Sequence, residues 1–577
     1  MWSILHFVFI YFCQPSAWMH VIATIVFGAL TQINTKTISL KDQNSFLEYP
    51  PSKLKIRQID LFKMNHWDNR AKMSSLKWIQ YSMDWENVEE MPHLHYEPVE
   101  SAEELEMIIQ YCHNDVLSTR EILEHSKEQI QLRQTLTKEY NIDLYSASEP
   151  RISKELFIHF LHQKLGISKS ELKQLRSPRD YIILAECVLP YIKFQTPEFQ
   201  KVLDYIRTKV ITSTKDGFKF SMNYKGVKTD YGLGGLHGAR DPGVYEAKPG
   251  WTIMTSDVTS YYPNLAIKNK FHPEHLPQKE FGDLYEWFFE ERKKIPKTDP
   301  KNYVYKIILN STYGLTGDQN SFLYDPKMTM QITINGQLSL SMLYEMICEQ
   351  IPEAVPLMQN TDGLETLIPN SYVEKYHEIC ARWCKMTMLE LEHDEYSKMI
   401  IRDVNNYIAV YDNGKTKCKG RFEFEELPLH KNKSNLIIPK AWYEYFVNGT
   451  NPKDYLKTNR NIFDYCTGSK IKGNWFFVER GVKDGMFYEN KLQKLVRYFV
   501  SKKGTKIIKC NPDGRQIQLE SGPILQTIFN KAVELPWEEY DIDEKYYLDK
   551  IYDEIKKIES TSEVIPQNMY QQLKLEL

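Results

Sequence analysis

Residues 251–265 read WTIMTSDVTSYYPNL. The first half has the apolar content of a buried strand, with Trp251, Ile253 and Met254 ahead of a single acid, Asp257. A carboxylate at the end of a core strand is costly unless it is paired or metal-bound. Asp257 therefore asks for a cation, and the tyrosine pair and proline that follow it ask for a partner surface.

Two further segments answer. In TDPKNYVYKIILNSTYG, Asp299 suits an N-cap, Pro300 the first helical position and Gly314 the stop, which predicts a helix from 300 to about 314. On it Lys306, Asn310 and Tyr313 fall at i, i+4 and i+7, one face, while Ile307 and Ile308 turn away. Taken alone, Lys and Asn on such a face are ordinarily just solvated. The segment VPLMQNTDGLETLI places Asn360-Thr361-Asp362-Gly363 between apolar runs, the pattern of a tight hairpin. Its aspartate could be a mere turn residue. A hairpin lifting Asp362 beside Asp257 would instead let two carboxylates hold a pair of Mg²⁺ ions, the arrangement used for in-line phosphoryl displacement.

Together these residues resemble the palm motifs of family B DNA polymerases: DVTSYYPN the first, KIILNSTYG the second and NTDG the third, in the family's order. The intervening DPKMTMQITINGQL is most similar to polymerases of bacteriophages and mobile elements. The resemblance implies an α+β multidomain fold, the right hand of palm, fingers and thumb, behind a partial ribonuclease H-like exonuclease domain. It implies Asp257, Asp362 and the main-chain carbonyl of Val258 as ligands of two Mg²⁺ ions. It also implies Lys306, Arg292 and Asn310 at the triphosphate, Tyr262 under the sugar as a barrier to a 2′-hydroxyl, and Tyr313 with Gly314 against the nascent base pair. Asn360 stands where the family usually has an acid. Only 49 positions separate Asp257 from Lys306, so the fingers are short.

For DNA, residues 491–515 carry eight basic residues against one acid, with Tyr498 and Phe499 interleaved, and GKTKCKGR forms a second cluster. Such runs are usually solvated faces, but beside a two-metal site they predict a phosphate track through Lys417, Lys419, Arg497, Lys502 and Lys503. Gly234 and Gly235 resemble the family's Tyr-x-Gly-Gly template linker, and Tyr407 with Lys419 the segment that holds the primer end. YCHND resembles the third exonuclease motif, giving Tyr111 and Asp115. No early Asp-x-Glu accompanies it, and Asp84-Trp85-Glu86 lies too close to Asp115 to serve. Proofreading is therefore expected to be lost.

The rest of the composition sets bounds. With 577 residues, several domains are required. A formal charge of -3 excludes nothing, since a nucleic-acid enzyme needs only a local basic track. Nine cysteines without a Cys-x-x-Cys argue against a disulfide scaffold; His377, Cys380 and Cys384 read as packed residues rather than zinc ligands. No charged side chain precedes Lys36, yet both apolar runs there are shorter than the roughly 20 residues of a membrane helix, which argues against a membrane anchor. The expected plan is a partial exonuclease-like domain at 1–145, a helical template-binding linker at 146–240, a palm at 241–425 with fingers at about 278–315, and a thumb at 426–577. Such a chain would act as a cytoplasmic monomer on a DNA primer-template and deoxynucleoside triphosphates. The rival reading is a degenerate polymerase that binds DNA without extending it.

Overall fold

In the computed structural model, residues 59–91, 98–425, 427–520, 522–528 and 535–562 are described. The uncharged opening segment and its membrane question lie outside them. Among the described residues no helix is long and apolar enough to cross a membrane. The chain divides into two compact units, Met1–Ile152 and Ser153–Leu577.

The first unit contains α1 (Leu76–Ser82), α2 (Ala102–His125) and α3 (Lys127–Tyr140). The sequence 101–134 reads as one long amphipathic helix, but it breaks at Ser126, whose φ of -103° and ψ of 5° leave the helical region. The start of α2 is well determined. Ser101 accepts from the Glu104 amide while the Glu104 side chain accepts from that of Ser101, a reciprocal capping box.

In the second unit the strands that carry the site are, in chain order, β1 (Phe220–Tyr224), β2 (Val227–Tyr231), β3 (Leu236–Ala239), β4 (Gly243–Glu246), β5 (Trp251–Val258), β6 (Val355–Asn360), β7 (Gly363–Pro369), β8 (Leu391–Tyr396), β9 (Lys398–Asp403), β10 (Asn406–Val410) and β11 (Thr416–Cys418). Seven form one antiparallel sheet, in the order β8-β5-β7-β6-β3-β2-β1. The other four pair as β11-β10-β9-β4. Ile253, Leu357 and Met358 of the larger sheet share an apolar cluster with Met399, Ile401 and Ala409 of the smaller one. Each such fully buried aliphatic side chain contributes about 1.5–3 kcal/mol relative to exposure, so this cluster fixes β5 against the smaller sheet at Ile253.

Four helices complete the surroundings: α4 (Tyr261–Lys268), α5 (Gln278–Lys294), α6 (Pro300–Thr316) and α7 (Pro326–Gln350). The tyrosine pair after Asp257 opens α4. The turn is made by Ser260 in the left-handed region at φ 44°. Asp299 caps α6 by accepting from the Lys301 amide, with Pro300 in the first turn as expected. The helix does not stop at Gly314, however; it runs to Thr316 and is capped at Gly317. Helix α7 is buried on nearly every side, and its buried amides are matched: Asn335 donates to the Cys187 carbonyl and Gln337 to that of Gly232.

After α8 (Val373–Thr387) and α9 (Ile437–Asn448) come β12 (Thr467–Lys470), β13 (Phe476–Lys483), β14 (Met486–Leu492), β15 (Leu495–Ser501), β16 (Lys506–Cys510), β17 (Gln516–Gln518) and β18 (Ile524–Thr527). They form two sheets, β12-β15-β18 and β14-β13-β16-β17. One apolar core joins Ile400, Ile408 and Phe422 to Trp442, Tyr465 and Val496, so packing runs across the boundary the sequence suggests at 425/426.

Candidate active site

Strand pairing determines the site. In the β5/β7 ladder Asp257 lies opposite Gly363, and the Val258 amide donates to the Asp362 carbonyl at 2.7 Å. The β6/β7 hairpin closes through Asn360 opposite Gly363, with Thr361 and Asp362 at its tip. Asp257 and Asp362 therefore meet at one end of the sheet, as the NTDG hairpin predicts. Glycine at 363 leaves the acid its place: a Cβ there would stand 1.9 Å from Oδ1 of Asp257 and would force that carboxylate to turn. Burial, then the charge of Asp257, holds the Asp362 carboxyl above its ordinary value.

The cation beside this pair is Lys417 on β11. Its Nζ is 3.3 Å from Oδ2 of Asp257 and donates to Tyr396 Oη at 3.2 Å. Burial alone would lower its pKa, but Asp257, Tyr396 and Tyr407 hold it above the usual lysine value. Lys417 is thus a partner of the acid in this structure, not the phosphate contact its basic surroundings predict. Lys419 is exposed and pairs with Glu423 at 3.6 Å.

The sequence reading misses one acid. Glu365 lies two residues along β7 from Gly363, opposite Thr255, and is 3% exposed. Its Oε2 has no hydrogen-bond partner. Desolvation, reinforced by Asp257, pushes its pKa up to about 8. A lone acid at an inward position between Leu364 and Leu367 was the available signal. Asn360, the departure from the family pattern, accepts from the Thr361 amide at 2.9 Å and lies 3.0 Å from Nδ1 of His237.

Around the acids, Tyr262 donates from Oη to the Gly234 carbonyl at 3.1 Å, and its ring lies 4.9 Å from that of Tyr313. A Cβ on Gly235 would be 3.6 Å from both Tyr262 Oη and Thr361 Oγ1, so the glycine pair borders the same space. Arg292 donates from Nη1 to Ser260 Oγ at 3.3 Å, and burial lowers its pKa. Lys306, Asn310 and Gly314 are exposed along α6, with Ile307 and Ile308 buried behind them.

Other predicted residues are placed differently. Arg497 is 1% exposed: its Nε donates to the Ile528 carbonyl at 3.0 Å and its guanidinium lies over Phe463. It cannot face a duplex, because β15 is buried along its whole length. Tyr407 belongs to the core between the two sheets, also largely buried. Lys502 and Lys503 are exposed, the latter 3.1 Å from Asp541. In the first unit Asp115 is buried and engaged, 2.5 Å from Lys77 Nζ and 3.0 Å from Gln80 Nε2, while Lys77 also covers the ring of buried Tyr111. Among the described residues no group of three His, Cys, Asp or Glu side chains could hold a metal ion, and Cys380 is packed away as expected.

Residues 290–373 match the model of DNA polymerase family B. The matched segment holds Arg292, Lys306, Asn310, Tyr313, Gly314 and Asp362 but begins after Asp257. DNA polymerase 1 of Saccharolobus solfataricus is 27% identical over 184 residues, 30% of this chain and 19% of that protein. DNA polymerase 1 of Sulfolobus acidocaldarius is 30% identical over 117 residues, 20% of this chain and 13% of that protein. The chain thus spans under a fifth of the length of these relatives. The solved family B DNA polymerase of Pyrobaculum calidifontis aligns over 87% of this chain and 63% of its own, with a TM-score of 0.40 and 12% identity.

Proposed function

We propose that the chain is a template-directed DNA polymerase that adds deoxynucleotides to a primer 3′ end, of the bacteriophage and mobile-element kind, working as a single chain. The observation that carries this reading is the meeting of Asp257 and Asp362 across the β5/β7 ladder, in a chain whose segment 290–373 matches family B. The seven-stranded sheet would be the palm, α5 and α6 the short fingers, and the region beyond 426 the thumb.

The donor set suits a divalent cation. Two carboxylates are held together at a strand end, one of them raised by crowding and by the other, and a bound cation relieves that repulsion. Asp257, Asp362 and the Val258 carbonyl would hold two Mg²⁺ ions, which when bound supply the charge neutralisation and hydroxyl activation of two-metal phosphoryl transfer. The remaining work belongs to side chains. Lys306 offers a point charge and Arg292 a planar fork to the triphosphate oxygens, with Asn310 beside them. The Tyr262 ring, restrained by the Gly234 carbonyl and Tyr313, would close the space that a 2′-hydroxyl needs. Gly234 and Gly235 leave room for template, and Lys419, Lys502 and Lys503 remain for DNA phosphates.

Proofreading is proposed to be lost. The burial of Asp115 supports this: it is enclosed by Lys77 and Gln80 with its side chain 2% exposed, whereas Asp257, also paired with a lysine, stands 47% exposed at a strand end. Incubation of a labelled primer-template with Mg²⁺ tests both statements. Extension is expected with deoxynucleotides present; with a mismatched 3′ end and nucleotides omitted, the primer should keep its length.

A further inference from the structure

The β13/β14 hairpin ends in an apolar tip that the site above does not use. Val482, Met486 and Phe487 are 71%, 72% and 68% exposed, far more than the other large apolar side chains of the same sheet. The hairpin turns through Asp484, at φ 52°, and Gly485, at φ 79°. This is an Asp-Gly pair suited to a two-residue turn of defined twist. Val482 pairs with Phe487 and Lys483 with Met486. On the neighbouring strand β16 pairing with β13 stops at Lys506, opposite Arg480. The last three residues of β13 therefore project beyond the sheet, by roughly 10 Å at about 3.4 Å per residue.

The projection is stiff at its root. Tyr488 covers Gly481, where a Cβ would meet its ring at 2.9 Å, and Arg480 is held by both Glu489 and Gln516. Basic residues gather at the same end: Lys506 begins β16 opposite Arg480, and Lys502 and Lys503 lie in the turn just before it, all three exposed. Residues 471–520 hold eleven Lys and Arg against five Asp and Glu in a chain of net charge -3, so the positive charge is concentrated on this region.

We propose that this tip is a contact for unpaired nucleotides, Phe487, Met486 and Val482 lying against base faces while Lys502, Lys503 and Lys506 meet phosphates. The chemistry is that of single-strand binding: sequence-tolerant stacking on an aromatic ring beside an electrostatic track. Stacked bases inside a duplex would not be open to such a tip, so its preference is for single strands and forks over blunt duplex. The inference deepens the polymerase reading by naming where displaced or template single strand would run.

The test measures binding of fluorescein-labelled single-stranded, forked and blunt duplex DNA by anisotropy over a salt series. The full chain is compared with a V482S/M486S/F487S variant and a K502A/K503A/K506A variant, folding of each being checked by thermal melting. The apolar variant should lose roughly tenfold in affinity for single-stranded and forked DNA, keep its affinity for blunt duplex and keep its salt slope. The basic variant should lose affinity with a shallower salt slope. On a simple primer-template, extension should be unchanged in the apolar variant. Equal affinity of that variant and the parent for all three probes would overturn the proposal. So would flotation of the parent, but not the variant, with anionic phosphatidylserine vesicles while DNA binding is unaffected. Failure of the parent to extend a primer would count against the polymerase reading alone.

Discussion

The carboxylate of Asp257 occupies the space that a side chain at Gly363 would need, Oδ1 standing 1.9 Å from the ideal Cβ position. The two residues are paired across β5 and β7. Replacement of Gly363 by Ala must turn the Asp257 carboxylate away and strain its contact with Lys417. Because the obstructing oxygen ends a short side chain that can rotate, the stability loss should fall at the low end of the roughly 1–3 kcal/mol typical of overpacking. The loss of extension should be much larger, roughly 100-fold, as for a misplacement of about 1 Å in a reacting centre. Thermal melting and single-turnover extension measure the two separately.

Glu365 predicts a pH dependence of stability. Its folded-state pKa of about 8 lies above the ordinary 4.5, so folding is unpenalised below about pH 4.5. Stability is then lost progressively as pH rises towards 8, because only the unfolded chain ionises freely. Glu365→Gln removes the titration. In EDTA the variant should melt increasingly above the parent between pH 5 and 8, by up to several kcal/mol at about 1.4 kcal/mol per pKa unit, and the difference should level off above pH 8. A constant difference across that range would show that Glu365 is ionised in the folded state.

Arg497 should behave as a core residue. Arg497→Met removes the Nε bond to the Ile528 carbonyl and the stack on Phe463, leaving an acceptor buried. A loss of about 1–3 kcal/mol is expected. The salt slope of DNA binding should not change, whereas loss of a phosphate contact would reduce it by about one.

The strand ending at Asp257, the cap at Asp299-Pro300 and the NTDG hairpin were legible because each carries a local signal: an apolar run, an N-cap before proline, an Asp-Gly turn. What depended on tertiary surroundings was not. Ser260 in the left-handed region starts α4 without a local sequence signal, and Gly314 passes as helix because α6 runs on to its cap at Gly317. The basic run at 491–515 cannot say which of its residues point inward. Arg497 does so because β15 is the middle strand of its sheet. Likewise Lys417 reads as one of four basic neighbours until β11 carries it to Asp257.

Tyr262→Ala should admit ribonucleotides. The ring that lies beside Tyr313 and donates to the Gly234 carbonyl is deleted, opening the space proposed to reject a 2′-hydroxyl. The ratio of ribo- to deoxynucleotide incorporation by steady-state extension is the readout. An unchanged ratio would remove Tyr262 from that role.

The measurement closest to the central claim is primer extension in Mg²⁺ by the parent chain, Asp257→Asn and Asp362→Asn, with primer-template affinity determined on the same preparations. Each substitution keeps the side chain's size and removes a charge proposed to hold the cations, while leaving Lys419, Lys502 and Lys503 in place. The parent should lengthen the primer and both variants should lose extension by at least about a thousandfold, with affinity for primer-template changed by less than about threefold. Extension by Asp362→Asn at the parent's rate, or the absence of any extension by a parent chain that binds primer-template tightly, would contradict the central claim.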